Sequence, residues 1–307
     1  MISPPALKVV VDPATHTTVV PNEWLAEVTL IKSRLGIDLP VHVHVTIDPK
    51  LRWHVGLGFH TQIRLAIAAA LAFAFAVPIE PLSLASVLSR GGTSGIGALG
   101  FWYGGLLFDG GKKRLSNDQL FVPSSSASPS EPTPLVFHRA NLPFFPVVAV
   151  GRNWDLISGE VERRLFAEFT PIPADEASEC ARVVYMDLQA AVATSDFEAF
   201  CASIQCLSTV GFKKCEIAYR GHLATALMER MTRAGLQGVG MSSWGPACFG
   251  FTQDSEMAAT AVAALLRDPA VEDAWVGNFA PGAQVQLADG KESSAWNWAS
   301  SCGRTCP

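Results

Sequence analysis

The chain has 307 residues, of which 49% are hydrophobic and 17% charged, and its mean hydropathy is +0.25. This composition excludes a disordered chain and predicts a compact protein with a sizeable core, built as one large domain or two ordinary ones. The formal net charge of -5 argues against nucleic acid or an anionic membrane as the main partner, but allows a local basic site for a small anion.

Localisation and redox state are indicated by the apolar runs and the cysteines. No basic leader followed by an apolar core opens the chain, so a secretory signal is not expected. The longest apolar run, residues 65–77, is too short to span a bilayer and is predicted to be a buried helix. The seven cysteines lie within residues 180–306 with no repeated close pair, which favours reduced thiols in a cytoplasmic protein. The pair in the C-terminal "CGRTCP" lacks a second pair for zinc and is interpreted as a frayed tail.

In the first half of the chain, strands and helices are predicted to alternate. Residues 6–11 and 41–47 carry the β-branched residues of strands, and the segment 23–36 between them has the apolar spacing of a helix. The stretch "GLGFHTQ" leads into the apolar helix, and "SLASVLSR" is predicted to form another. A helix and a strand, each followed by a turn, are predicted for "ALGFWYGG" and "GLLFDGG". The Ser- and Pro-rich residues 123–134 are interpreted as a mobile surface loop.

The second half continues this alternation and starts with "FPVVAVGR" as a strand. The elements that follow are helices near 160–169, 175–193, 196–208 and 219–234, the loop "GVGMSSWGP", the strand "ACFGFT", a helix over 255–267 and a final strand "DAWVGNF". We therefore predict an α+β protein of two lobes, residues 1–143 and 144–300, with a tail over 301–307.

Three loops rich in glycine are candidates for ligand binding: "GLGFHTQ" at 56–62, "GGTSGIG" at 91–97 and "GVGMSSWGP" at 238–246. The first two lie beside predicted helix starts, where backbone N–H groups and the helix dipole favour a phosphate or carboxylate. One such loop commonly does no more than join a strand to a helix, whereas three in one chain favour an anion site. None has the GxxxxGK[ST] spacing of a Walker loop or a full GxGxxG between strand and helix, which excludes those two cofactor classes.

Together these motifs resemble a known family. "GLGFHTQ" is similar to the glycine loop of the GHMP kinase superfamily. "RGGTSGIGALGFWYGGLLFDGG", "GFKKCE" and "GVGMSSWGP" resemble one branch of it, the beta-ribofuranosylaminobenzene 5'-phosphate synthases, within residues 50–255. The resemblance implies a two-lobed GHMP-kinase-like fold, with an N-terminal ribosomal-protein-like α+β lobe and a C-terminal ferredoxin-like lobe. It implies a pentosyltransferase that joins phosphoribosyl pyrophosphate to 4-hydroxybenzoate or 4-aminobenzoate, with loss of carbon dioxide and pyrophosphate, in methanopterin-type coenzyme synthesis.

Two departures from the related sequences bear on function. In many GHMP kinases the segment matching "TSGIG" reads SGxD, and its aspartate acts on the hydroxyl that receives phosphate. Gly97 stands there in this chain and cannot accept a proton, which favours a synthase over a kinase. Family members also begin with a segment like P-x-R-L-H-x-G-L that helps line the site, and nothing here matches it. Either the start is truncated or part of the site is lost, so a kinase using ATP and a catalytically silent ligand-binding relative stay open as alternatives.

The synthase reaction needs stabilisation of the leaving pyrophosphate and of positive charge at the anomeric carbon. The resemblance implies that the loops supply N–H donors, that Mg²⁺ bridges pyrophosphate oxygens, and that a carboxylate holds the metal or faces the cationic sugar. We predict Asp109 and Glu160 as catalytic carboxylates, with Asp109 as the metal ligand. The plainer alternatives are a turn aspartate and a glutamate in the first turn of a helix.

The predicted binding residues lie in or beside the three loops. His60 and Thr61 would donate to phosphate, and Arg90 suits an anionic substrate, although His60 could instead pack beneath the loop and Arg90 could be solvated or ion-paired. Trp244 is either a stacking surface for the benzoate ring or a core residue. Lys213 and Lys214 either reach an anion or face solvent. The predicted set is Gly56, Gly58, His60, Thr61, Arg90, Gly92, Thr93, Ser94, Gly95, Gly97, Ser242, Ser243 and Trp244. The sequence leaves a homodimer open.

Overall fold

The computed structural model describes residues 2–3, 6–50, 54–111, 121–123, 126, 135–139, 141–287 and 292–295. Most of the predicted mobile loop over 123–134, the whole of the predicted tail over 301–307 and the C-terminal cysteine pair lie outside these residues. Within the described part, no helix is both long enough and apolar enough to cross a bilayer.

The first part of the chain packs helices against an antiparallel pair of strands. Its elements are β1 (Ile2–Ser3), β2 (Leu7–Pro13), α1 (Asn22–Leu35), β3 (Val41–Ile47), α2 (Phe59–Ala74), α3 (Ser83–Val87), α4 (Ile96–Tyr103), β4 (Leu106–Asp109) and β5 (Leu135–Arg139). Strand β2 pairs with β3 along its full length, from Leu7 opposite Ile47 to Pro13 opposite Val41. One buried cluster joins both strands to α1, α2 and α4.

Helix α2 is the centre of this first cluster and confirms the helix predicted from the apolar run. Its side chains Ile63, Leu65, Ile67 and Leu71 are almost fully buried, and its alanines allow neighbouring elements to approach closely. The helix ends at Ala74, and the chain turns away at Ala76, where φ is 50° and the following Val77 N–H donates to the Ala72 carbonyl at 2.9 Å. Burying such a row of aliphatic side chains stabilises the fold by about 2 kcal/mol for each side chain.

The second part of the chain is built around a four-stranded antiparallel sheet. Its elements are β6 (Phe145–Gly151), α5 (Gly159–Phe169), α6 (Ala174–Arg182), a π-helical turn (Val183–Leu188), α7 (Gln189–Thr194), α8 (Phe197–Leu207), α9 (Gly211–Arg220), α10 (His222–Arg233), β7 (Gln237–Met241), β8 (Ala247–Thr252), α11 (Ser255–Leu265) and β9 (Val271–Val276). The strand order is β7-β8-β6-β9. With α10 before β7 and α11 before β9, this is the β-α-β-β-α-β arrangement of the ferredoxin-like fold.

The two faces of this sheet are covered differently. Because side chains alternate along β6, Val147 and Ala149 face the cluster formed with α10 and α11. Val148 and Val150 point to the other face, where they pack with Val55 of the segment that precedes α2. The first part of the chain therefore lies directly against the sheet of the second.

After β9 the chain returns to the first cluster. The last elements are β10 (Asn278–Phe279), β11 (Gln284–Gln286) and β12 (Glu292–Ser294). Strand β10 pairs with β1, the Ala283 N–H donates to the Phe101 carbonyl at 2.7 Å, and Ala295 is buried in the first cluster. The α+β class is confirmed, while the division of the chain at residue 143 stays a prediction.

Two sequence-based assignments were wrong in detail. The helix expected over 219–234 corresponds to α10 but begins too early, because Tyr219 and Arg220 are the end of α9, a helix that was not predicted, and Gly221 separates the two helices. The first four residues of "GVGMSSWGP" belong to strand β7, so the loop is only residues 242–246. Glycines are needed in β7 because its neighbours approach closely: a Cβ at Gly240 would lie 2.8 Å from the Phe249 ring, and one at Gly238 would lie 3.1 Å from Cys201.

Candidate active site

The three predicted loops meet in the structure. We call them the first loop (56–62), the second loop (91–97) and the third loop (242–246). The Gln62 amide of the first loop donates to the Gly97 carbonyl of the second loop at 2.8 Å. The Ser242 hydroxyl of the third loop donates to the Gly56 carbonyl of the first loop at 2.7 Å. Segments far apart in sequence thus form one site around the start of α2.

The first loop leads directly into the N-terminus of α2. Gly58 is the N-cap residue in the left-handed region, with φ of 68°, and no side chain caps the helix. The first turn of α2 also contains no acidic residue. A 16-residue helix that starts without a side-chain cap presents its positive dipole end to the space in front of it, which favours an anion there.

Arg90, which is buried, and His60, which is half-buried, form a pair beside this helix end. Arg90 is only 8% exposed, and its guanidinium donates to Nδ1 of His60. Nε of Arg90 has no hydrogen-bond partner among the described residues. Burial, and secondarily the charge of Arg64, lowers the pKa of Arg90 to about 10, so it stays charged at neutral pH. Arg90 is therefore a buried cation, not a solvated one.

His60 is held neutral by the same surroundings. Burial, then the positive charges of Arg90 and Arg64, lowers its pKa to about 4. A guanidinium can only donate, so the imidazole nitrogen that faces Arg90 must accept. The neighbouring Arg64 is itself paired with Glu27 at 2.5 Å. Of these three basic side chains, Arg90 is the one whose charge has no carboxylate partner in the described part of the chain.

Asp109, the last residue of β4, contacts the second loop through its carboxylate. Its Oδ2 accepts from the Gly95 N–H at 3.1 Å and the Ser94 hydroxyl at 3.4 Å, and its Oδ1 accepts from the Gly111 N–H at 3.2 Å. The Tyr185 hydroxyl of the π-helical turn donates to its main-chain carbonyl at 3.0 Å. The carboxylate thus supports the start of α4, which fits both the predicted site role and the alternative of a structural turn residue.

Gly97 has a packing role that its sequence position did not reveal. A Cβ there would lie 3.1 Å from Cγ2 of Thr61, in the first turn of α2. Any larger residue, including the aspartate of the kinase motif, would crowd this contact. Glycine at position 97 therefore lets α4 approach the first loop closely.

Three other predicted residues, Thr93, Trp244 and Glu160, differ in how closely they are connected to the loops. Thr93 donates to the Val122 carbonyl. Trp244 is 3% exposed, and its ring packs against Phe212 and Tyr219, as a core residue does. Glu160 is exposed in the first turn of α5, and no described hydrogen bond or ion pair links it to the loops.

The two lysines of "GFKKCE" differ from each other. Lys214 is exposed and pairs with Glu176 at 2.8 Å, away from the loops. Lys213 donates to the Ser243 carbonyl of the third loop at 3.2 Å and pairs with Glu216. Sequence reasoning missed Glu216 and Arg220, which lie on the same helix. The signal was their spacing, because 213, 216 and 220 fall on one helical face.

The carboxylates at the loops bear on the predicted Mg²⁺. Among the described residues, no group of three or more His, Cys, Asp and Glu side chains is placed to hold a metal ion. Asp109 offers one carboxylate, already engaged with backbone N–H groups. Mg²⁺ often takes one or two carboxylates together with phosphate and water, so Asp109 would supply at most a small part of such an ion's ligands.

Solved structures of other proteins share the fold of this chain. Homoserine kinase from Cytophaga hutchinsonii superposes with a TM-score of 0.63 at 14% identity, over 91% of this chain and 88% of that one. Mevalonate kinase from L. major superposes with a TM-score of 0.60 at 14% identity, over 90% of this chain and 86% of that one. The chain therefore has the GHMP kinase fold.

Named proteins with a similar sequence are also found. No family model matches the chain. It is 31% identical over 211 residues to the beta-ribofuranosylphenol 5'-phosphate synthase of Methanothermobacter thermautotrophicus, covering 69% of this chain and 64% of that protein. It is 32% identical over 202 residues to the synthase of the same name from Archaeoglobus fulgidus, covering 66% and 62%. Over the aligned region the chain is similar to these synthases, and it spans less than two thirds of their length.

Proposed function

We propose that the chain is a phosphoribosyltransferase that joins phosphoribosyl pyrophosphate to a hydroxybenzoate, with loss of pyrophosphate and carbon dioxide. The observation that carries the proposal is the buried, positively charged Arg90 at the meeting point of the three loops, beside the N-terminus of α2. A pyrophosphate needs N–H donors and an unpaired cation at one place. The synthases to which the chain is related give the reaction class.

The chemistry assigns a task to each part of this site. As pyrophosphate leaves the anomeric carbon, its charge is stabilised by the helix dipole of α2, by Arg90 and by the neutral His60 as a hydrogen-bond donor. The ring carbon that carries the carboxylate forms the new bond to the anomeric carbon. Loss of carbon dioxide returns the electron pair to the ring. Asp109 would face the cationic sugar or hold one Mg²⁺ that enters bound to phosphoribosyl pyrophosphate, and that ion would neutralise charge on the pyrophosphate oxygens.

The acceptor we favour is 4-hydroxybenzoate over 4-aminobenzoate. The related proteins are named for a ribofuranosylphenol product, and a phenol is what remains of hydroxybenzoate after decarboxylation. A role in methanopterin-type coenzyme synthesis and a cytoplasmic location belong to the same proposal. The location is supported by the free thiols of Cys180, Cys201, Cys206, Cys215 and Cys248.

The direct test is to incubate the purified chain with phosphoribosyl pyrophosphate, Mg²⁺ and 4-hydroxybenzoate labelled in its carboxyl group. We expect release of labelled carbon dioxide and of pyrophosphate in equal amounts, with slower release from 4-aminobenzoate and none after chelation of Mg²⁺. A parallel incubation with ATP and candidate alcohols should give no ADP. Turnover of ATP without carbon dioxide release would instead identify a kinase. Binding of phosphoribosyl pyrophosphate without turnover would identify a silent relative.

Asp109→Asn separates a catalytic from a structural carboxylate. Because Asn keeps an oxygen acceptor for one backbone N–H but loses the charge, we expect a loss of stability of about 1 kcal/mol and a much larger effect, about a hundredfold, on turnover. The matched control is Asp196→Asn, which removes the charge of a carboxylate that caps α8 through the Ala199 N–H at 3.0 Å. It should cost similar stability, measured by urea unfolding, and leave turnover unchanged. Similar turnover in both variants would remove Asp109 from the site.

A further inference from the structure

One face of helix α9 holds the third loop in place. Lys213, Glu216 and Arg220 lie three and seven residues apart, so they share this face; we call them the α9 clamp. Lys213 donates to the Ser243 carbonyl at 3.2 Å, and Arg220 donates through Nε to the Trp244 carbonyl at 2.5 Å. Two consecutive carbonyls of the third loop are thus bound by one helix.

Arg220 also reaches a second segment of the chain. Its Nη1 donates to the Asp155 carbonyl at 2.7 Å, and its guanidinium lies 5.4 Å from the centre of the Trp154 ring. The planar fork of an arginine can bind two carbonyls in different directions at once, whereas the single ammonium of a lysine holds both only with less defined geometry. Arg220 therefore ties the third loop to the segment that leads into α5.

Because the α9 clamp is largely buried, its charged groups lower stability unless hydrogen bonds or partner charges replace the water they lose. Arg220 is 7% exposed and Glu216 is 5% exposed. Burial lowers the pKa of Arg220 and raises the pKa of Glu216, with Lys213 opposing the latter shift. A buried charge is tolerated when hydrogen bonds and partner charges replace its water. Here Nε and Nη1 of Arg220 are directed at main-chain carbonyls, which is the pattern expected of a group that fixes backbone, while its buried Nη2 has no hydrogen-bond partner among the described residues.

The third loop, held by Arg220, is in turn hydrogen-bonded to the first loop and the residue before it. Two residues before Trp244, the Ser242 hydroxyl donates to the Gly56 carbonyl at 2.7 Å. The Ala247 N–H, just after the loop, donates to the Val55 carbonyl at 3.1 Å. The first loop then enters α2, whose N-terminus faces the anion site. A continuous set of contacts thus links Arg220 to the backbone in front of the substrate.

We propose that Arg220 is a positioning residue for the anion site, acting through the Trp244 carbonyl and Ser242 to fix the backbone of the first loop at Gly56. This inference rests on the proposed function for its kinetic consequence. The structural part, that Arg220 orders two loops of different parts of the chain, stands independently of the reaction.

Amide hydrogen exchange and kinetics on Arg220→Lys test both parts. We expect exchange of the Ala247 N–H to become about tenfold faster or more, while amides within β6 keep their protection, and turnover to fall by a similar factor. The control is Arg152→Lys, because the exposed Arg152 side chain also binds two main-chain carbonyls, those of Pro269 and Val271, each at 3.1 Å, and neither carbonyl belongs to the third loop. It should change neither readout.

A double-mutant cycle distinguishes positioning from general stability. If Arg220 acts through Ser242, the effect of Ser242→Ala on binding of inorganic pyrophosphate should be smaller in Arg220→Lys than in the wild type. Independent, multiplicative effects, or unchanged exchange in a folded Arg220→Lys, would overturn the inference. If that variant does not fold, Arg220→Gln, which keeps an amide donor without a buried charge, carries the same expectations. A wild type without carbon dioxide release would refute the proposed function alone, because hydrogen exchange still reports on Arg220.

Discussion

At the scale of single residues, the pair of Arg90 and His60 makes stability depend on pH. The pKa of His60 lies at about 4 in the folded chain, against an ordinary value of 6.5. Between these values the unfolded chain binds a proton that the folded chain does not. The free energy of unfolding must therefore fall as the pH is lowered from about 6.5 towards 4.

His60→Gln should flatten this pH dependence, since the amide oxygen can still accept from Arg90 but does not ionise. We expect urea unfolding of the wild type to lose more stability between pH 7 and pH 5 than the variant loses. Comparison of the two chains cancels the contributions of other titrating groups. His44→Gln, at an exposed position of β3, is the control and should follow the wild type. Parallel curves for wild type and His60→Gln would contradict a buried neutral histidine.

The sequence predicted the loops of the candidate site but not the side-chain contacts that hold them together. The first and second loops were predicted because a cluster of glycines before a helix start is visible in consecutive residues of the sequence. The link from Arg90 to His60 spans 30 positions and depends on how α2 packs, which no local pattern encodes. Arg220 was missed for a related reason. Its partners are main-chain carbonyls, which every residue has, so the sequence does not show which residues it binds.

At the scale of elements, the strands and the apolar helix were predicted well because periodicity reports burial directly. The predicted strand over 41–47 is β3, residue for residue. The helix expected at 219–234 matches α10 except for its start, whereas α9 was missed, because α9 begins after Val210 with no side-chain cap to indicate a helix start. The break between the two helices depends on Gly221, whose φ of 56° and ψ of -132° lie in a region almost reserved for glycine.

Gly221→Ala should therefore destabilise the chain through backbone strain alone. A Cβ at this position would have the Ala218 carbonyl at 3.9 Å as its nearest neighbour, which is ordinary contact. We expect a loss of about 3 kcal/mol in the free energy of unfolding, measured with urea. Gly36→Ala is the matched control: Gly36 has φ of 68° and ψ of 30°, where other residues are found, and should cost about 1 kcal/mol. Equal losses would show that α9 and α10 do not require this turn.

At the scale of the whole molecule, the site lies where the two cores meet. Helix α2 belongs to the first cluster, while Val55 and Leu57, just before it, pack on the sheet of the second part. The first loop therefore couples the two cores, and its shape is determined by both. Sequence patterns predicted each part separately. How the two parts pack together depends on contacts between segments far apart in sequence. The hydrogen bond between Ser242 and Gly56, for example, joins residues 186 positions apart.

Gly56 and Gly58 form a matched pair that tests this coupling. Both have positive φ, of 87° and 68°, so alanine is strained at either position. A Cβ at Gly56 would lie 2.3 Å from the main-chain oxygen of Ser242, whereas one at Gly58 would meet nothing within 4 Å. Because backbone cannot move aside as a flexible side chain does, Gly56→Ala must push the third loop from the first. We expect it to lower the free energy of unfolding by about 2 to 4 kcal/mol, against about 1 kcal/mol for Gly58→Ala, both measured with urea. A Gly56→Ala chain as stable as Gly58→Ala would mean that the loops separate without cost, and the two cores would then not depend on each other through this contact.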